Sequence, residues 1–178
     1  VEAYGEDVTV LREKDNCGFA AGSNIGIRYC LEHGADYILL LNNDVELDSL
    51  LLEKLVADAD ENTVVVPKIY FYEPSDRIWA AGGILNWNHC ETKHYGIEEK
   101  DIGQCDERQY VNFAPACCML LHRSVFERVG YFDEAFFMYY EDTDLCVRLL
   151  ENGYQILYEP EARMWHKVSS SSGGQNSK

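Results

Sequence analysis

The sequence has 178 residues, of which 47% are hydrophobic and 12% aromatic, and its formal net charge at pH 7 is -16. This length and composition predict one ordered globular domain with a core of its own. The negative charge argues against binding to nucleic acid or to anionic lipid, both of which need a basic surface. No apolar run of about eighteen residues predicts a membrane span, and we expect no secretion signal.

The cysteines point to a reducing environment. There are seven of them, and none is spaced as in a CxxC motif. This pattern favours reduced, mostly buried thiols in a cytosolic protein over a disulfide framework or a zinc site.

The first elements alternate between strand and helix. Residues 8–12 alternate in polarity like a strand, and the loop DNCGFAAG follows. A helix is predicted to start with Ser23 as its cap and to end near Glu32, before Gly34. The apolar run at 36–41 predicts a strand buried on both faces, as in a parallel sheet.

The middle of the chain continues this alternation and then becomes irregular. Asp48 is predicted to cap a helix that extends to about Asp60. The run TVVVPKIYF predicts a strand in which Pro67 indicates an edge position or a bend. Residues 73–110 are rich in Gly, Asn, Asp and His, and we expect a short hairpin followed by an excursion loop there.

The last third returns to regular structure. ACCMLLHR predicts a buried strand, and Ser124 with Glu127 predicts a capping box for a short helix. A helix is predicted from about Asp142 to Asn152, then a strand at YQILYEP with His166 beyond its end, and a flexible polar tail at 169–178. This order of elements favours an α/β fold with helices on both faces of a sheet.

The run LLLNNDVELD places polar side chains directly after an apolar strand. Ligands of open α/β sheets bind where strands end, so Asn42, Asn43 and Asp44 are candidate binding residues. Asp44 can offer an oxygen to Mg²⁺ or Mn²⁺ while substrate phosphates complete the octahedron. The alternative is a polar turn that precedes the next helix, and the run alone leaves both interpretations open.

A second acidic cluster, Glu141, Asp142 and Asp144, follows the aromatic run FFMYY. The simpler interpretation is that these acids are stabilised by the dipole of the helix they begin. A carboxylate surrounded by aromatic rings can instead act as a general base with a raised pKa. Arg148 lies one turn beyond Asp144, and we favour an ion pair between them over a phosphate contact.

Two further signals are weak by themselves. His166, beside Trp165, is either a surface residue or the nitrogen ligand that Asp44 lacks. The glycine-spaced loop GFAAGSNIG is compatible with phosphate contact, but it lacks the Walker lysine and the dinucleotide fingerprint.

Three blocks in the order NCGFAAGSNIGIR, LLLNNDVELD and ACCMLLHRSVFERVGYFDEAFFMYYEDTDLCVRLLENGYQILYEPEARMWH resemble the inverting family 2 glycosyltransferases. The nearest likeness is to the rhamnosyltransferase-like branch that builds bacterial surface polysaccharides. The resemblance implies a GT-A type α/β fold over residues 1–168, with a mixed, mostly parallel sheet that has helices on both faces. It also implies a transferase that moves a sugar from a nucleotide-diphosphate donor to a saccharide or lipid-linked saccharide acceptor, in the cytoplasm or at the inner face of the plasma membrane.

The resemblance also implies a metal site. Asn42-Asn43-Asp44 falls on the DxD-type motif of the family, with Asn42 in place of the first aspartate. Asp44 would bind Mn²⁺ or Mg²⁺, His166 would be a second ligand, and Asn42 and Asn43 would lie beside the donor.

Catalytic and donor-binding roles are carried over in the same way. Asp142 falls on the ED motif and would deprotonate the acceptor hydroxyl, with Glu141 in support. Asn24 and Gly22 fall where the family contacts the donor nucleotide.

One departure from the family concerns its first strands. Members begin with two strands that hold the base and ribose of the donor, and we expect this chain to be a fragment that lacks them. The open sheet edge would then favour self-association. A non-catalytic remnant or interaction module with the same fold is the alternative. A nucleotidyltransferase is disfavoured because no basic glycine-rich loop for a triphosphate is present.

Overall fold

A computed structural model of the protein describes residues 8–167, so the polar tail expected at 169–178 lies outside the described residues. The elements in chain order are α1 (Gly18–Glu32), β1 (Tyr37–Leu41), β2 (Val45–Leu47), α2 (Leu51–Asp58), β3 (Thr63–Phe71), β4 (Ile78–Ala80), β5 (Gly83–Asn86), β6 (Glu91–His94), β7 (Gln109–Val111), β8 (Cys118–His122), α3 (Ser124–Arg128), α4 (Glu141–Glu151) and β9 (Gln155–His166). Within this range no helix is both long enough and apolar enough to cross a bilayer. The strand expected at residues 8–12 is absent from the structure.

A mixed seven-stranded sheet forms the centre of the molecule. Its order is β1-β8-β3-β9-β2, with β4 added to β3 and β7 added to β9, while β5 and β6 form a separate hairpin. Only the β3–β9 pair is parallel among the described strand pairs. The expected α/β architecture is confirmed, but the expected mostly parallel pairing is wrong, because β2, β4, β7 and β8 each run opposite to the strands they join.

The environment predicted for the strand at 36–41 is wrong. β1 pairs antiparallel with β8, and no second neighbour of β1 is seen among residues 8–167. Ile38 and Leu40 are buried, whereas Tyr37 and Leu41 are about two-fifths exposed. Only the face that carries Ile38 and Leu40 is buried, while Leu39 on the other face is partly buried, so a continuous apolar run did not mean burial on both faces.

Two apolar clusters cover the two faces of the sheet. The larger one packs α1, α3 and α4 against one face through residues that include Ala20, Ile27, Val125, Leu145 and Leu149. The smaller one packs α2 against the other face through Leu51 and Leu55. Helices on both faces agree with the prediction.

Helix starts differ from the predicted caps. α1 begins at Gly18, five positions before Ser23, and its first amide donates to the Asn16 side chain at 3.0 Å. Asp48 lies in the turn before α2, where its carboxylate accepts a hydrogen bond from the Leu50 amide at 2.9 Å.

The predicted capping box at α3 does not form. The hydroxyl of Ser124 donates to the carbonyl of Glu61 at 2.7 Å, and Glu127 pairs with Arg123. The hydroxyl is engaged by a distant segment of the chain, which a local sequence motif cannot reveal.

β9 is longer than predicted, because it regains strand partners after an irregularity at residues 160–162. It pairs in parallel with β3, and its last residues also pair with β2, so that His166 lies opposite Val45 inside the strand and not beyond it. The register against β3 shifts between Pro67 and Lys68. Pro67 thus marks an irregularity in the strand as expected, but β3 is central in the sheet and not at its edge.

A buried lysine fastens the excursion at residues 73–110 to the sheet. Lys68 is fully buried and forms ion pairs with Asp101, at 3.0 Å, and with Asp106. The Tyr70 hydroxyl also donates to Asp101. Burial acts to raise the pKa of Asp101, but hydrogen bonds from Tyr70, Gly103 and Lys68 lower it to about 2. The excursion is therefore fixed at its base.

Candidate active site

A cleft of about 640 Å³ opens at one edge of the sheet. β1, β3 and β9 run in the same direction, so their carboxyl ends lie along this edge. We name three parts of the cleft. The sheet rim is Asn42, Asp44 and His166. The aromatic loop is residues 136–140, and it leads into Glu141 and Asp142. The excursion wall is Trp79, Thr92, His94 and Phe113.

The sheet rim brings together the acid and the imidazole that the sequence singled out. His166 Nε2 lies 3.2 Å from Asp44 Oδ1, and both side chains are largely buried. Asp44 directly precedes Val45, which pairs with His166 in the β2–β9 ladder. Asp44 and His166 therefore lie side by side at the strand ends. Burial lowers the pKa of His166, although the charge of Asp44 opposes the shift. The imidazole is therefore neutral at physiological pH.

The donor atoms of the rim fit a divalent cation in part. Two ligands on neighbouring corners of an octahedron of Mg²⁺ or Mn²⁺ are about 3.0 Å apart, close to the spacing of these atoms. Ligation through Nε2 would, however, place the ring proton on Nδ1, which is buried without a hydrogen-bond partner. Residues 8–167 contain no group of three or more His, Cys, Asp or Glu side chains arranged to hold a metal ion. The rim thus offers two ligands, and the other positions would need oxygens from substrate or water.

The acidic pair lies at the start of α4. Asp142 accepts hydrogen bonds from the amide and the hydroxyl of Thr143, at 2.7 and 3.3 Å. Burial raises the pKa of Asp142, opposed by hydrogen bonds from the backbone at Thr143 and Ala116. Glu141 is 7% exposed, its Oε2 has no hydrogen-bond partner, and burial also raises its pKa. A raised pKa makes a carboxylate a better proton acceptor.

Cys117 connects the two acidic regions. Its thiol is buried within the lining of the cleft. Burial raises its pKa well above the ordinary value, and the charges of Cys118, Asp142 and Asp44 add to the shift. Both carboxylates are therefore near one side chain.

The aromatic loop has an unusual backbone. Tyr139 and Tyr140 have φ angles of 72° and 69°, a left-handed conformation that is costly for residues with a side chain. Contact with α1 supports the loop, because the Phe19 amide donates to the Phe137 carbonyl at 2.8 Å. Gly18, with φ +84°, permits this approach: an added Cβ would lie 2.3 Å from the Phe137 oxygen.

The excursion wall consists of aromatic rings packed in tilted and edge-to-face arrangements. The ring of Trp79 lies 4.9 Å from that of His94 and 4.8 Å from that of His166, and His94 is 5.4 Å from Phe113. Burial lowers the pKa of His94 to about 4. His89, in the same excursion, is exposed, whereas His94 lies in the cleft.

Of the residues expected beside the donor, Asn42 lines this cleft, whereas Asn24, Gly22 and Asn43 do not. Asn24 is fully buried, and its amide group donates to the Phe132 carbonyl and to Glu134 and accepts from the Phe132 amide. This geometry contradicts a nucleotide contact by Asn24. Gly22 borders a separate cavity of about 320 Å³, and Asn43 is exposed outside the lining of the cleft.

Arg148 and Asp144 form the ion pair that the sequence favoured. Their closest atoms are 2.6 Å apart, and Arg148 also donates to the Val129 carbonyl. Asp144 is therefore paired within its own helix, and it lies outside the lining of the cleft.

The fold is that of the GT-A class of sugar transferases. The crystal structure of GalNAc-T7 with UDP, GalNAc and Mn²⁺ matches it with a TM-score of 0.71, over 93% of this chain and 33% of that one, at 16% sequence identity. This likeness establishes the architecture alone.

The profile of Glycosyl transferase family 2 matches residues 1–130, so the chain belongs to that family. The low-salt glycan biosynthesis hexosyltransferase of Haloferax volcanii is 29% identical over 148 residues, 80% of this chain and 46% of that protein. The dTDP-rhamnosyl transferase RfbF of Shigella flexneri is 29% identical over 161 residues, 88% of this chain and 51% of that protein. The chain thus spans about half the length of these curated relatives.

Proposed function

We propose that this chain carries the catalytic cleft of an inverting, metal-dependent glycosyltransferase. It moves a sugar from a nucleoside-diphosphate donor to a saccharide acceptor in glycan synthesis. Family membership supports the reaction type, and the likeness to a hexosyltransferase and a rhamnosyl transferase favours a hexosyl or rhamnosyl donor.

One observation carries the proposal: Asp44 with His166, and Asp142, line the same cleft from different elements. The first pair is suited to the diphosphate end of the donor, because a cation held by these residues would offset the negative charge of the phosphates. The raised pKa of Asp142 suits the acceptor end, where a proton must be removed.

The reaction is a single displacement. Asp142 accepts the proton of the acceptor hydroxyl while that oxygen bonds to the anomeric carbon of the donor sugar. The bond from this carbon to the diphosphate oxygen breaks, and the nucleoside diphosphate leaves with the electron pair. One attack inverts the anomeric configuration.

The rim residues orient the leaving group. Asp44 Oδ1 and His166 Nε2 would hold Mn²⁺ or Mg²⁺, which supplies positive charge against the two phosphates when bound. Because Nδ1 of His166 lacks a partner, the rim alone binds a cation weakly, and phosphate oxygens complete the site.

The aromatic loop is suited to an acceptor with an apolar part. Four consecutive residues, Phe137, Met138, Tyr139 and Tyr140, are each about half to two-thirds exposed, and three of them line the cleft. A lipid-linked saccharide would place its chain on this strip and its hydroxyl near Asp142. We place the reaction in the cytoplasm, at the membrane that holds such an acceptor, because all seven cysteines are free thiols.

Calorimetric titration with UDP, dTDP and GDP, with and without Mn²⁺, tests the donor site. We expect one nucleotide to bind with Mn²⁺ and to bind much more weakly without it. Asp44→Ala should weaken the Mn²⁺-dependent affinity by roughly tenfold to a hundredfold.

Glu46→Ala is the matched control, because it removes an equal charge two residues away from an exposed position outside the lining of the cleft. Its nucleotide affinity should equal that of the wild type. Absence of binding at millimolar nucleotide would contradict the proposal and favour the non-catalytic alternative. Unchanged Mn²⁺ dependence in Asp44→Ala would remove this residue from the metal site.

A further inference from the structure

His94 is a polar side chain in the cleft that the reaction described above does not use. It is the last residue of β6, and its ring is packed between Trp79 and Phe113 in the excursion wall. Its Nδ1 is buried without a hydrogen-bond partner. Since Nδ1 is enclosed, only Nε2 is left to bond a molecule in the cleft.

The buried nitrogen selects the tautomer of the ring. A neutral imidazole carries one N–H and one lone pair. Burying an unpaired N–H is more costly than burying an unpaired acceptor, so the proton of His94 belongs on Nε2. Protonation of both nitrogens is disfavoured for the same reason, and burial accordingly lowers the pKa of His94. The ring therefore presents a neutral N–H donor over the physiological range.

The surroundings of His94 are fixed in place. The Tyr95 amide donates to the Gly82 carbonyl, and the Ala81 amide donates to the Tyr95 carbonyl, which joins β6 to the strand before it. The ion pairs of Lys68 with Asp101 and Asp106 hold the next part of the excursion on β3. The donor is thus preorganised rather than carried on a free loop.

Flat rings beside a fixed donor suit a sugar. The apolar C–H face of a pyranose packs on aromatic rings, and its hydroxyl oxygens accept hydrogen bonds. The partly exposed ring of Trp79 provides such a surface on one side of His94, and the buried ring of Phe113 packs against the other side. Phe113 precedes the segment that contributes Ala116 and Cys117 to the lining near Asp142.

We propose that His94 is an acceptor-binding residue, whose Nε2–H donates a hydrogen bond to a hydroxyl oxygen of the acceptor saccharide. This inference rests on the proposed function, because it assumes that a saccharide acceptor occupies the cleft. It deepens that function by assigning part of acceptor recognition to the excursion wall.

Three substitutions separate the roles of the two ring nitrogens. His94→Gln places an amide N–H near the position of Nε2, His94→Asn places one near Nδ1, and His94→Phe keeps the ring but removes both nitrogens. His89→Phe is the matched control, since His89 is an exposed histidine of the same excursion outside the lining of the cleft.

The probes are methyl glycosides of rhamnose, glucose, galactose and N-acetylglucosamine, studied by saturation-transfer NMR with UDP or dTDP and Mg²⁺. For the glycoside that binds the wild type, we expect His94→Phe and His94→Asn to weaken affinity by roughly threefold to tenfold, as for one neutral hydrogen bond. His94→Gln should restore most of it, and His89→Phe should not change it. Nucleotide affinity by calorimetry should be the same in all five proteins.

The outcomes distinguish the inference from the proposed function. Equal glycoside binding by His94→Phe and the wild type, a loss of nucleotide affinity instead, or binding of none of the glycosides by the wild type each overturns the role of His94. If the wild type binds nucleotide in a metal-dependent way in the same samples, the proposed donor site is supported whatever the result for His94. Its absence contradicts the proposed function itself.

Discussion

The sheet rim and the aromatic loop face the same cleft but are built in different ways. Asp44 and His166 are positioned by strand pairing, because Val45 and His166 are partners in the β2–β9 ladder. Asp142 follows a loop whose last two residues are left-handed and whose main support is the contact of α1 with Phe137. Pairing of strands thus fixes the candidate cation ligands, while one loop conformation fixes the candidate base.

The largest expected effect tests whether Asp142, at the end of the aromatic loop, is the catalytic base. In the active enzyme, Asp142→Asn should lower kcat by about two to three orders of magnitude and leave nucleotide affinity nearly unchanged. The carboxylate that takes the proton is lost, whereas the rim that holds the donor stays intact. Steady-state kinetics with calorimetry of the nucleotide measure both.

Glu151→Gln makes the same chemical change at the exposed far end of α4 and should leave kcat unaltered. Near wild-type turnover by Asp142→Asn would take the role of base away from this residue.

An intermediate effect tests the support of the loop. Gly18→Ala should lower the free energy of unfolding by about 1–3 kcal/mol and reduce kcat, because the new Cβ clashes with the Phe137 carbonyl and the backbone is left-handed. Denaturant unfolding and kinetics of the same preparation measure the two effects.

Gly26→Ala is the control in the same helix, where an added Cβ meets nothing within 4 Å. It should raise stability by about 0.5–1 kcal/mol, as alanine does in a helix interior. If both alanine variants behave alike, the contact between α1 and the loop does not position the base.

The smallest effect concerns the pH dependence of stability. Burial raises the pKa of Asp142 in the folded chain. Between its ordinary value and the raised value, the folded chain binds more protons than the unfolded one, so stability falls as pH rises through this window. Asp142→Asn removes this loss. Its Tm should exceed that of the wild type at about pH 7, and the difference should vanish at about pH 3.

Thermal melts across this range measure the difference, with Glu151→Gln as the control that should show no such trend. A constant difference at all pH values would mean that the carboxylate of Asp142 is not destabilised by its surroundings.

Local patterns in the sequence predicted most elements and the α/β class. The direction of β1 was not predictable in this way, because its partner β8 lies far along the chain and pairing is not encoded within either strand. The start of α1 was missed partly for a similar reason: the Phe19 amide is satisfied by the distant Phe137 carbonyl, while the Gly18 amide donates to the Asn16 side chain and not to Ser23.

In the candidate site, too, local motifs predicted some residues, while others depend on partners far along the chain. Asp44, Asp142 and His166 stand in motifs whose order indicates a shared cleft, and the structure places all three there. Asn24 was misassigned because its amide bonds with the segment at 132–134, a partner that no local motif reveals. The place of His94 depends on the folding of an irregular excursion, for which periodicity gives no signal.

Lys68 attaches the excursion to the sheet at its base and not at its tip. The tip at residues 87–90 is exposed and lies beyond the ion pairs that hold the base. Substitutions or insertions at the tip should therefore leave the ion pairs of Lys68, and with them the attachment of the excursion to β3, unchanged.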